Sequence, residues 1–166
     1  MFCLFTIITH IVPHGIDQGL ASPVSITVLS SIGASSILGR LIFGMGYDLL
    51  GPRHSLMICF FTLLVSFVII QTIPDPKFLF LFAFIYGIAH GGFFAIAAPS
   101  IADYFGTKSH GIIFGIVLFC GTLGGTIGPL IAGRVFDITK SYDITFLTVS
   151  GAAIFGLALA YHLQKG

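Results

Sequence analysis

Five apolar runs, at residues 23–46, 55–73, 78–100, 110–133 and 144–163, each approach or exceed the roughly 20 residues that a helix needs to cross a bilayer. No other property constrains the fold as much. Inside lipid a backbone must satisfy its own N–H and C=O groups, so runs of this length become helices. A sixth apolar run, residues 2–14, is too short to span and reads as the end of a helix whose beginning is missing. The connections are short and carry turn chemistry: DQGLASP, DLLGPRH, PDPK, DYFGTKSH and DITKSYD. They leave no room for a soluble domain. Residues 1–166 are therefore expected to form one all-α transmembrane bundle of hairpin-connected helices.

Charge supports the same class. Only 8% of residues are charged, against about 25% in a soluble domain, so the chain could not cover a water-facing surface. The predicted location is a membrane, as a multi-pass integral protein of the cytoplasmic membrane. With a net charge of +1 and no basic patch, nucleic acid is not an expected partner. Cys3, Cys59 and Cys120 all lie in apolar runs and read as buried thiols. The N-terminus, MFCLFTIITHIVPHG, has neither a basic region nor a small-residue cleavage site, so no removable signal peptide is expected. No nucleophile–base pair or metal set can be assembled, which predicts neither an enzyme nor a bound cofactor.

Residues 39–54, GRLIFGMGYDLLGPRH, are where the chain becomes chemically specific. Asp48 and Arg53 flank a Gly51-Pro52 turn between two helix ends, where a carboxylate can pair with a base or a helix N-terminus. D-L-L-G-P-R (48–53) is echoed by D-Y-F-G-T-K (103–108), two helices later and so on the same membrane face. A second echo pairs I-L-G-R-L (37–41) with I-A-G-R-V (131–135). If residues 1–76 and 77–166 are repeats, an odd number of helices in each makes them inverted three-helix repeats, a transporter architecture. With this corner facing the cytoplasm, Arg40, Arg53, Lys108 and Lys165 oppose Lys77, Arg134 and Lys140. That excess is too small to orient the bundle by itself.

Several polar groups fall inside the apolar runs. Arg40 follows a four-residue stripe of Thr27, Ser31, Ser35 and Gly39. It either snorkels to the interface or faces the bundle interior, where a charge marks a functional site. His10 and His14 are four apart, with Pro13 expected to disturb the turn. No third ligand or H-E-x-x-H pattern follows, so proton coupling or substrate contact is preferred to metal binding. Asp17 reads as interfacial. His90 sits mid-helix in I-Y-G-I-A-H-G-G-F-F-A, with Tyr86 beside it, and needs a partner or a cavity. Gly87 and Gly91 form a G-x-x-x-G pair for close helix approach. The run 110–133 carries further pairs at 111/115, 121/125 and 124/128, made by Gly111, Gly115, Gly121, Gly124, Gly125 and Gly128.

Gly44-x3-Asp48-x2-Gly51-x-Arg53 resembles the signature loop of the major facilitator superfamily, G-x-x-x-D-x-x-G-x-R, which that family places on the cytoplasmic side. The base that commonly follows the aspartate is Leu49 here. Together with T-H-I-V-P-H-x-x-D-x-G, Y-G-x-A-H-G-G-F-F-A, D-Y-F-G-x-x-S-H-G and I-G-P-L-I-A-G-R-V-F-D-x-T-x-S-Y, the chain resembles the C-terminal half of such transporters. The likeness is greatest to the bacterial monocarboxylate-transporter-like, oxalate/formate-antiporter-type branch. The resemblance implies helices seven (truncated) to twelve, an N-terminal six-helix half as partner, and a small organic anion as substrate, with a proton or counter-anion. It implies a gate-latch role for Gly44, Asp48, Gly51 and Arg53, joined by Asp103 and Lys108 of the echo. It implies contact between Arg40 and the substrate carboxylate, with His10, His14, His90 and Tyr86 as further contacts. Ser36 stands where some monocarboxylate carriers have an acidic residue. Oxalate carriers of that branch place a lysine within the eleventh helix, and none occurs in 110–133, so the resemblance implies a singly charged anion rather than a dicarboxylate. The alternatives are a non-transporting sensor or assembly subunit, and an inert truncated chain.

Overall fold

A computed structural model describes residues 1–72 and 75–163. Five helical elements follow in order: α1 (Phe2–Asp17), α2 (Ser22–Thr72), α3 (Phe78–Phe105), α4 (His110–Thr139) and α5 (Asp143–His162). Four are long and apolar enough to cross a membrane, and α1 is a shorter apolar helix. At 51 residues, α2 is two spans in one, broken only at Gly51, whose φ of 76° and ψ of 176° are non-helical. The expected DLLGPRH connection thus narrows to one glycine, with arms 22–50 and 52–72. Ile73, Pro74 and Lys165, which entered the sequence reading, lie outside the described residues.

The helices run further than the apolar runs. Residues 47–50, 101–105 and 134–139 are helical though expected as span ends or connections, because polar side chains at a membrane boundary are solvated without unwinding the backbone. Helix α1 continues through Pro13 to Asp17 rather than ending at 14. Burial of Ile11, His14 and Gly15 on the bundle holds the turn that the proline's missing N–H weakens.

Two close crossings assemble the bundle. In the first, the 22–50 arm of α2 lies against α3. A Cβ on Gly39 would strike the Ile88 carbonyl, one on Gly91 the Ser36 carbonyl, and one on Gly87 the Ser35 hydroxyl. The Ser35 hydroxyl also donates to the Ala83 carbonyl at 3.2 Å. Ser35 and Gly39, the inner half of the stripe expected to lead to Arg40, are therefore spent on this seam. The Thr27 and Ser31 hydroxyls donate back to their own helix, at Pro23 and Thr27. In the second crossing α4 meets α1. Gly121, Gly124, Gly125 and Gly128 receive Met1, Phe2, Phe5 and Thr6. Gly111 and Gly115 have nothing within 4 Å, so the glycine seam occupies only the middle of α4.

Residues of α1, α2, α3 and α5 build the main core around Phe67, Phe82, Tyr86 and Val149, all fully enclosed. A smaller cluster of Phe43, Tyr47, Cys59 and Ile96 fills the space between α2 and α3 towards the Gly51 end. Helix α4 stands apart, with only Gly128 and Ala132 buried. Cys3 and Cys59 are buried, as expected, but Cys120 is exposed on α4, because the face that carries it meets no other helix.

Replacing Gly91 by Ala forces apart two backbones in contact. The purified protein should lose about 1–3 kcal/mol of stability, read as a lowered thermal midpoint. Gly151→Ala on α5, where nothing lies within 4 Å, should be neutral or slightly stabilising.

Candidate functional site

The Gly51 end of the bundle is built from two matching corners. Gly51 (φ 76°, ψ 176°) and Gly106 (φ 75°, ψ 174°) take the same backbone conformation, one that a side chain all but forbids. The D-x-x-G echo in the sequence is thus an echo of geometry. Tyr47, one residue before Asp48, ties the corners together: its hydroxyl donates to Asp103 Oδ2 at 2.8 Å. A cleft of about 480 Å³ opens beside this bond, lined by Gly44, Tyr47, Asp48, Gly51, Pro99 and Asp103 among others. Arg53 turns the other way, its guanidinium 5.1 Å from the centre of the Tyr161 ring on α5, a cation–π geometry. Asp48 and Lys108 are exposed. Among the described residues no ion pair forms at either corner, because the arginine and the aspartates engage tyrosines or face outward.

The middle of the bundle holds Arg40 and His90. Arg40 lies about 16 Å along its arm from Gly51 and is exposed. Gly39 packs on Ile88 and Gly91 on Ser36, so the seam puts Arg40 and His90 at one depth. The His90 ring sits between Tyr86 and Phe94, at centroid distances of 6.1 and 5.1 Å. Its Nδ1 is enclosed with no hydrogen-bond partner among the described residues. Tyr86 differs from its expected place at a substrate. It is completely buried, and its hydroxyl donates to the Leu4 carbonyl at 2.6 Å, because α1 lies directly across it.

His10 and His14 also lie elsewhere than expected of substrate contacts. At the end of the bundle remote from Gly51, His10 spans three elements: Nε2 is 3.0 Å from the Pro129 carbonyl of α4 and Nδ1 is 3.3 Å from the Tyr142 hydroxyl. His14 is buried edge-on against Tyr142 and Phe146. The four-residue spacing points both rings at one aromatic, Tyr142, at the α4–α5 turn. Burial pushes the Tyr142 phenol above its ordinary range, with Asp17 and Asp137 adding to it. The tyrosines at 47, 142 and 161 were not singled out from sequence. Each sits beside a charge or a turn, the one signal that could have marked them.

The corner conformation yields a test. Gly51→Ala and Gly106→Ala should each lower thermal stability by about 1–3 kcal/mol, measured on purified protein, although neither Cβ would meet an atom within 4 Å.

Comparison with known proteins agrees with this architecture. Residues 1–165 match the Major Facilitator Superfamily. Monocarboxylate transporter 12 of Homo sapiens is 23% identical over 154 residues, covering 90% of this chain and 30% of that protein. Monocarboxylate transporter 9 of Gallus gallus is 32% identical over 124 residues, 72% of this chain and 24% of its own length. The uncharacterized MFS-type transporter YcxA of Bacillus subtilis is 29% identical over 121 residues, 69% of this chain and 30% of that one. The chain thus spans less than a third of these relatives. With membrane-length apolar helices and a family match over nearly its whole length, this integral membrane protein belongs to the major facilitator superfamily.

Proposed function

We propose that this chain is the C-terminal half of a secondary transporter that moves a small, singly charged organic anion across the cytoplasmic membrane by alternating access. The observation that carries the reading is Arg40: mid-span, exposed, and without a partner among the described residues. A guanidinium at that depth in lipid is expensive, so it faces an aqueous path or an anion. Its planar fork suits a carboxylate, held by two parallel hydrogen bonds. Two of the relatives are named as monocarboxylate transporters, which agrees with that chemistry.

The remaining side chains divide the work. The exposed faces of α4 and of the 22–50 arm of α2 meet the N-terminal six-helix half, and Arg40 lies on that boundary. Asp48 at the Gly51 corner latches against that half on the cytoplasmic side, while Tyr47 and Asp103 keep the corner in shape. Tyr86, His10 and His14 serve as framework. Ser36 is buried and donates to the Gly33 carbonyl at 2.8 Å, so it takes no part in moving a proton. A coupled proton or counter-anion uses groups on the other half.

Uptake of labelled monocarboxylates should be measured for protein carrying both halves, reconstituted in vesicles. Arg40→Ala should reduce uptake about tenfold or more, as loss of a charged hydrogen-bond pair would. Arg40→Lys should restore only part of it. Unchanged uptake in Arg40→Ala removes this residue from the site, and no uptake of any monocarboxylate by the unmodified protein overturns the substrate assignment.

A further inference from the structure

We infer that His90 is a neutral hydrogen-bond donor to the transported anion, offering Nε2–H beside Arg40, and that it does not carry a proton through the transport cycle. The inference rests on the function proposed above and names a second contact in the same site.

The first support is position. The α2–α3 seam fixes Arg40 and His90 at one depth through backbone contacts at Gly39–Ile88 and Gly91–Ser36. Neither helix can slide along the other without driving backbone into backbone. The two side chains are therefore held in a constant relation.

The second support is the enclosure of one ring nitrogen. Nδ1 is sealed off with no partner among the described residues, whereas Nε2 is not among the sealed atoms. Tyr86 and Phe94 flank the ring on the same helix, and Tyr86 is itself pinned to Leu4. An imidazolium carries N–H groups on both nitrogens. At Nδ1 the second N–H would be buried without an acceptor, which costs more than leaving a lone pair there. The neutral ring with its hydrogen on Nε2 avoids that cost and leaves its donor free. The charged or titratable side chains that face the ring are Arg40 from α2 and Tyr86 on α3. Neither is a carboxylate that could stabilise an imidazolium.

The third support is charge balance. Arg40 supplies one positive charge and a neutral His90 adds a donor without adding another. A carboxylate is then bound by several hydrogen bonds yet opposed by a single charge. Such a site favours a monoanion over a dianion, which would keep an uncompensated charge in a medium of low dielectric.

Two amide replacements separate the ring nitrogens. In His90→Gln the side-chain amide nitrogen stands near the place of Nε2, and in His90→Asn near that of Nδ1. With both halves present, His90→Gln should keep uptake within about threefold and leave its pH profile unchanged, whereas His90→Asn should raise KM about tenfold. Loss of pH dependence in His90→Gln, or equal performance of the two variants, overturns the inference. An independent reading comes from long-range 15N–1H spectra of 15N-histidine-labelled protein, with the His90 signals assigned by their absence in either variant. A lone-pair Nδ1 and a protonated Nε2 from pH 6 to pH 8 are expected, and an imidazolium at neutral pH overturns the assignment. The spectra report on His90 whether or not a monocarboxylate is transported, so failure of the substrate assignment and failure of this inference are separable.

Discussion

Everything in this structure depends on backbones touching where α2 crosses α3. In lipid the hydrophobic effect gives helices little reason to associate, so close packing and buried hydrogen bonds must hold them. Ser35, Ser36 and Gly39 on one side, and Gly87 and Gly91 on the other, remove the side-chain bulk that would keep the axes apart. The serine hydroxyls are satisfied by carbonyls on their own helix or across the seam, so the crossing holds no unmet polar group from these residues. The α1–α4 contact repeats the device with different chemistry, seating aromatic and threonine side chains of α1 over glycines. Both crossings buy proximity with small residues, and the large aromatics fill what remains.

That dependence explains what a reader of the sequence can and cannot see. Apolar runs announce spans because lipid imposes their length, and D-x-x-G announces corners because one backbone conformation there needs glycine. The G-x-x-x-G pair of α3 reads as a close approach for the same reason. Rotation about a helix axis is different. Tyr86 and His90 are four residues apart and look alike in sequence as intramembrane polar groups, yet one is sealed against Leu4 and the other keeps a nitrogen free. Which of them faces outward is decided by a carbonyl on α1, far away in the chain. His10 and His14 teach the same lesson, because the ring that engages both belongs to Tyr142.

The polar groups sort by depth. At the Gly51 end they are tyrosines paired with charges: Tyr47 with Asp103 and Tyr161 with Arg53. At the opposite end His10 bridges Pro129 and Tyr142. In the middle layer Arg40 and the enclosed nitrogen of His90 have no partner among the described residues, and towards the Gly51 end Arg53 Nε and the Tyr104 hydroxyl are enclosed without one as well. What sets the middle layer apart is a guanidinium and an imidazole held inside the span.

The bond from Tyr47 to Asp103 has a mechanical meaning. It joins α2 to α3 just before both chains turn through glycines of identical setting, and the same two helices are locked further in by backbone contact. Two points of attachment along one pair of rods oppose scissoring and twisting. The exposed corner and the layer that holds Arg40 and His90 are thus carried on one packed pair of helices.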